Sequence, residues 1–125
     1  MLISVVLIDV VNKQIKEITI ENSIKSIKEL LGCRLIKLRY EHVFTPERHF
    51  LMCDEYGLLN QPKGGFKIGH HNVIGGNALI CAFDDDVNLI DHYVMMEEII
   101  DMVKFVNSNY LPDPNSQVSD WIDFN

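Results

Sequence analysis

The chain has 125 residues and a mass of 14.4 kDa; 47% of the residues are hydrophobic, 23% are charged, and the formal net charge is −7. That size and composition suit one globular domain with a real core and exclude a disordered chain. No apolar run approaches the ~18 residues of a membrane-spanning helix, and Met1 to Ile8, although apolar, runs directly into Asp9 without a basic leader or a small-residue cleavage site, so a cytoplasmic protein is expected.

Leu2 to Val11 is almost wholly apolar and rich in Val and Ile, as a strand covered on both faces reads, which places it in the sheet centre. Val11-Asn12-Lys13 turns the chain, and Gln14 to Ile20 sets Ile18 and Ile20 between polar neighbours, so the two strands form a hairpin. A helix is predicted over 24–31, capped by Asn22 and Ser23, with Ile24, Ile27, Leu30 and Leu31 at helical spacing and Gly32 as its stop. Arg34 to Tyr40 alternates as a strand with one wet face, His49 to Asp54 forms another, and Glu55-Tyr56-Gly57 turns the chain toward Leu58 and Leu59. Residues 61–76 hold five of the seven glycines and read as a long irregular loop.

Asn77 to Phe83 is apolar on both faces and is predicted to be a second central strand, followed by a turn over 84–88. Val94 to Asn107 reads as the longer of the two helices, with Met95, Ile99, Met102, Val103 and Val106 inward and Glu97, Glu98 and Asp101 outward. From Ser108 the composition shifts to Pro, Asp, Asn and Ser, so 1–107 is expected to be one domain and 108–125 a loosely held acidic, aromatic tail. The element order indicates an α+β fold: a single mixed sheet, a short helix and a longer C-terminal helix. The first five elements follow the order of a β-grasp fold, a topological analogy that carries no function.

Three pieces of this pattern also carry a resemblance: Ser26 to Gly32 with the strand Arg34–Tyr40, the turn Asp54 to Asn60, and the run Ile74 to Ile80 with the Asp-rich turn before Asn88-Leu89. In these the segment from Ile24 through Val106 resembles a domain-of-unknown-function family of small proteins encoded mainly on bacterial plasmids and phages. The resemblance supplies no catalytic residue. It implies a mobile-element setting, in which many small acidic proteins act by binding and blocking a host protein.

Charge is unevenly distributed. Residues 1–83 carry 10 Lys/Arg against 8 Asp/Glu, whereas 84–125 carry only Lys104 against 10 acidic side chains, so the balances are +2 and −9. Such a chain is poorly suited to gripping a phosphate backbone, and nucleic acid is not an expected partner.

Most catalytic and metal-binding patterns break their own rules. Asp84, Asp86 and Asn88 begin a calcium-loop spacing, but Leu89 stands where the sharp turn needs Gly and Met95 where a bidentate Glu is required; an Asp/Asn-rich turn explains them. His42, His49, His70, His71 and His92 show no HxxxH or HxH spacing, and Cys33, Cys53 and Cys81 show no CxxC and sit among apolar residues, as buried reduced thiols do. No metal, cofactor or enzymatic activity is therefore expected.

Two surfaces remain. The first is the acidic third, with Asp84, Asp85, Asp86, Glu97, Glu98 and Asp101, and with Trp121 and Phe124 as apolar anchors for a host or phage protein. The alternative is the glycine-rich loop 62–76, where Lys63, Gly64, Gly65, Lys67 and His70 could receive a small anionic ligand, although neither GxGxxG nor GxxxxGK[ST] is present.

Overall fold

A computed structural model describes residues 1–39, 48–57, 64–69, 73–107 and 122–123. Ten strands and two helices are assigned among them: β1 Leu2–Asp9, β2 Gln14–Glu21, α1 Ile24–Leu31, β3 Ile36–Arg39, β4 His49–Asp54, β5 Gly65–Ile68, β6 Ile74–Gly75, β7 Ala78–Phe83, β8 Leu89–Ile90, α2 Met96–Met102, β9 Val103–Val106 and β10 Ile122–Asp123.

The main sheet runs β10-β3-β4-β7-β1-β2, with β8 beside β7, and a second sheet runs β6-β5-β9. Every pair is antiparallel, so two antiparallel sheets replace the single mixed sheet expected from the element order. β1 and β7, both central as their apolar runs predict, prove to be neighbours, with Val6 opposite Ile80 and Ile8 opposite Ala78.

Strand alternation divides the core between the two faces of the main sheet. On one face Ile3, Val5 and Leu7 of β1 join Leu79, Cys81 and Phe83 of β7, and Ile27 and Leu31 of α1 close over them. On the other face Val6, Ile8, Ala78, Ile80, Leu51 and Cys53 meet Phe66, Ile68, Ile74 and Val103 of the small sheet and Ile99 of α2. The main sheet is thus the middle layer, with α1 on one side and the small sheet and α2 on the other. Cys53 and Cys81 are buried as expected, and Cys33 is half-buried.

α1 begins and ends where its local chemistry dictates. The Ser23 hydroxyl accepts the Ser26 amide at 3.1 Å, and Gly32 takes φ 65°, donating its amide to Glu29 while Cys33 reaches back to Lys28.

The C-terminal helix is shorter than the 94–107 expected from periodicity. It stops at Met102, and Val103 turns to φ −91°, ψ 130° and begins β9, which pairs with β5 from Ile68↔Val103 to Gly65↔Val106. Val, Phe and Val fit a strand as well as a helix, and the long-range pairing decides between them. Met95 precedes the helix instead of lining its inner face and is 60% exposed.

The glycine-rich segment is not irregular throughout, because it supplies β5 and β6. Gly65 lies opposite both Gly75 and Val106. A side chain at Gly57 would place its Cβ 2.2 Å from the Gly75 carbonyl oxygen, so this part of the second sheet is built on close backbone contact.

Candidate interaction surface

The route into α2 is fixed by the strands beneath it. Asp91 accepts the Ser4 amide at 2.8 Å, and His92 donates its own amide to the Ser4 carbonyl at 2.9 Å, tying this segment to β1. The His92 ring lies between Glu17 Oε2, 2.7 Å from Nε2, and the Val94 amide, which donates to Nδ1 at 3.3 Å. The Tyr93 amide donates to Nε2 of buried His49 at 3.1 Å, and the two rings meet edge to face with centroids 4.3 Å apart. Residues 91–94 are therefore anchored to β1, β2 and β4 before the helix starts.

On this base α2 turns Ile99 fully inward, with Met96 and Met102 partly buried against the same core. Glu97, Glu98, Ile100 and Asp101 are exposed. Tyr93 is 49%, Met95 60% and Ile100 52% exposed, which interleaves three large apolar side chains with three carboxylates over nine residues. Glu97 and Glu98 stand in the first turn, where the unpaired amides of the helix favour negative charge, so their placement also has a structural cause. Asp101 stands in the last turn, where the same dipole disfavours a carboxylate, and helix stability gives no reason for it.

The Asp84–Asp86 group occupies a different element, the β7–β8 turn, and serves it. Asp84 accepts the amides of Asp86 and Asn88, both at 2.9 Å, and these backbone bonds, led by that from Asn88, hold its carboxyl below the usual carboxylate range. Asp85 pairs with Arg48, while Asp86 is exposed. At the tip Val87 adopts φ 64°, a conformation rare for a β-branched residue, and is 73% exposed. Of the acidic residues nominated from sequence, Asp84 is thus spent on the turn and Asp85 is engaged, whereas Asp86 and the α2 carboxylates face outward. Trp121 and Phe124 lie outside the described residues.

In the alternative region, Gly64 and Gly65 are buried and Lys67 is exposed, while Lys63 and His70 lie outside the described residues. Gly64 accepts the Gly76 amide at 3.0 Å, and Gly65 takes its place in the ladder between β6 and β9, so this backbone is used in strand pairing. Lys67 lies directly opposite Lys104.

Sequence reasoning missed Tyr93, Met95 and Ile100 as surface residues because a helix drawn from Val94 put Met95 on its apolar face. The signal that could have found the boundary is the pair of acids Glu97 and Glu98, at the second and third helical positions, since acids are enriched in a first turn.

Among the described residues no cluster of three or more His, Cys, Asp or Glu side chains could hold a metal ion, and no helix is long and apolar enough to cross a membrane. No curated protein and no solved structure matches the chain. A family model does match, over residues 3–104, and by that match the chain belongs to the domain-of-unknown-function family DUF3846.

Proposed function

We propose that this chain is a non-enzymatic accessory protein of a plasmid or phage that binds, and by binding inhibits, a host or phage protein through its acidic C-terminal third. The observation that carries the reading is the surface of residues 93–101, the approach to α2 and the helix itself, where Glu97, Glu98 and Asp101 share an exposed stretch with Tyr93, Met95 and Ile100. Carboxylates steer a basic partner from a distance, and the apolar side chains hold it once docked.

Affinity capture from the native host, followed by binding kinetics with the purified partner, tests this. E97Q/E98Q/D101N should slow association by about tenfold or more at low salt, since steering acts on the on-rate. Ile100→Ala should raise the dissociation rate instead. If both variants bind like the parent, the partner docks elsewhere.

A second reading, a small anion held at 62–76, is favoured by Lys67 facing Lys104 across β5 and β9, where two exposed like charges would welcome a counter-charge. Saturable phosphate-induced shifts at Gly64, Gly65 and Lys67 that vanish in Lys67→Glu would support it.

A further inference from the structure

A groove of about 500 Å³ runs along the outer side of α1, lined by Ile24, Lys25, Lys28, Gly32, Cys33 and Arg34, with Glu29 as its single acid among the described residues. That volume falls in the range of small-molecule sites, roughly 300–1,000 Å³. Three cations in one groove run against the overall charge of −7. Among the described residues none of the three forms an ion pair with a carboxylate, whereas Lys37 is held by Glu55 and Arg48 by Asp85. The groove is not purely ionic. Ile24 is 40% exposed at one end, the half-buried Cys33 thiol lies at the other, and the stems of Lys25 and Lys28 supply methylene surface between them. Burial first, and then the Asp54 carboxylate, push that thiol up to about 11, so at neutral pH it is an uncharged, apolar wall and adds no negative charge.

We propose that this groove is a second binding site, for a small amphiphilic anion whose acid group meets Lys25, Lys28 and Arg34 while its apolar body lies on Ile24 and Cys33. An open groove with three cations to one acid attracts the opposite charge, and its apolar side chains favour a ligand with a hydrocarbon or aromatic part over a bare ion. The site lies on the α1 side of the main sheet, across from α2, so it stands or falls independently of the acidic surface.

The probe is 8-anilinonaphthalene-1-sulfonate, an aromatic sulfonate, titrated into the full chain with amide shifts read by NMR, and with inorganic phosphate as the charge-only comparison. Saturable shifts confined to residues 24–34 are expected, with binding at least about tenfold tighter than phosphate and weakened about tenfold or more by K28E/R34E, a loss of ~1.4 kcal/mol. Both substituted side chains line an open groove, and a melting curve checks that the variant keeps its fold. An independent readout in the parent is alkylation of Cys33 by iodoacetamide, followed by mass spectrometry, which the sulfonate should slow and phosphate should not. Shifts scattered over the molecule, equal affinity for phosphate, undiminished binding by K28E/R34E, or unprotected Cys33 would each overturn the assignment.

Discussion

Asp9 shows how much one side chain can fix. Its carboxylate closes the β1–β2 hairpin by accepting the Val11 and Asn12 amides, each at 3.1 Å, and the Asn12 side-chain amide at 2.8 Å, while only 7% of the residue is exposed. Burial alone would push its pKa up, but the Asn12 side chain, the two backbone amides and nearby Lys16 outweigh it and hold the group below its ordinary value. A depressed carboxyl stabilises the fold above the unfolded-state pKa of ~4 and loses that contribution as pH falls. Asp9→Ala should therefore cost ~1–3 kcal/mol at neutral pH, with the gap to the parent narrowing as pH falls through the carboxylate range in denaturant titrations. Cys81 carries the opposite sign. Burial pushes its thiol from 9.0 up to about 12, so its favourable contribution is whole below pH 9.0 and is lost as pH rises toward 12. The stability difference between the parent and Cys81→Ala should shrink steadily over that alkaline window, and a constant difference would contradict the burial. The turn role of Asp9 was hidden in the sequence, where the acid reads only as the end of an apolar run. Ser23 and Gly32, by contrast, could be read as caps because capping depends on the nearest few residues alone.

At the scale of elements, what could be read is what local periodicity determines. β1 and β7 announce themselves as buried on both faces, the hairpin follows from Asn12-Lys13, and α1 from four apolar residues at helical spacing. The second sheet could not be read, because β5, β6 and β9 exist through each other: Gly65 has no strand propensity until Gly75 and Val106 flank it, and Val103–Val106 suits a helix until β5 offers a ladder. The candidate surface shared this fate. Its acids were visible in composition, but the exposure of Met95 and Ile100 depended on where the helix begins and ends. Lys104 tests that boundary. In a helix running on past Met102 it would be a cation in the last turns, favourable to the dipole, and Lys104→Glu would destabilise. In β9 it faces Lys67, and the same substitution exchanges repulsion for a cross-strand ion pair, raising stability by ~0.2–1 kcal/mol. Thermal or urea unfolding of this variant separates the two by sign.

Over the whole molecule, the balance of −9 in residues 84–125 against +2 in the remainder is a separation that packing does not call for. A net charge far from zero opposes the compact state through self-repulsion, which reaches ~30 Å at 0.01 M salt but only ~8 Å at 0.15 M. Salt also weakens the ion pairs of Met1 with Glu21, Lys37 with Glu55 and Arg48 with Asp85. The first and last of these are well exposed, and exposed pairs contribute only ~0–1 kcal/mol each, so relief of repulsion should win. The melting temperature at pH 7 should thus rise between 0.01 and 0.15 M salt. E97Q/E98Q/D101N, which takes the net charge from −7 to −4, should melt higher than the parent at low salt and respond less to added salt. The same variant is expected to bind its partner more slowly. A change that stabilises the fold while slowing association marks carboxylates kept for contact at a cost in stability. If neutralising them instead lowers the melting temperature at every salt concentration, they serve α2 itself through its first turn, and the contact surface must be sought among other residues.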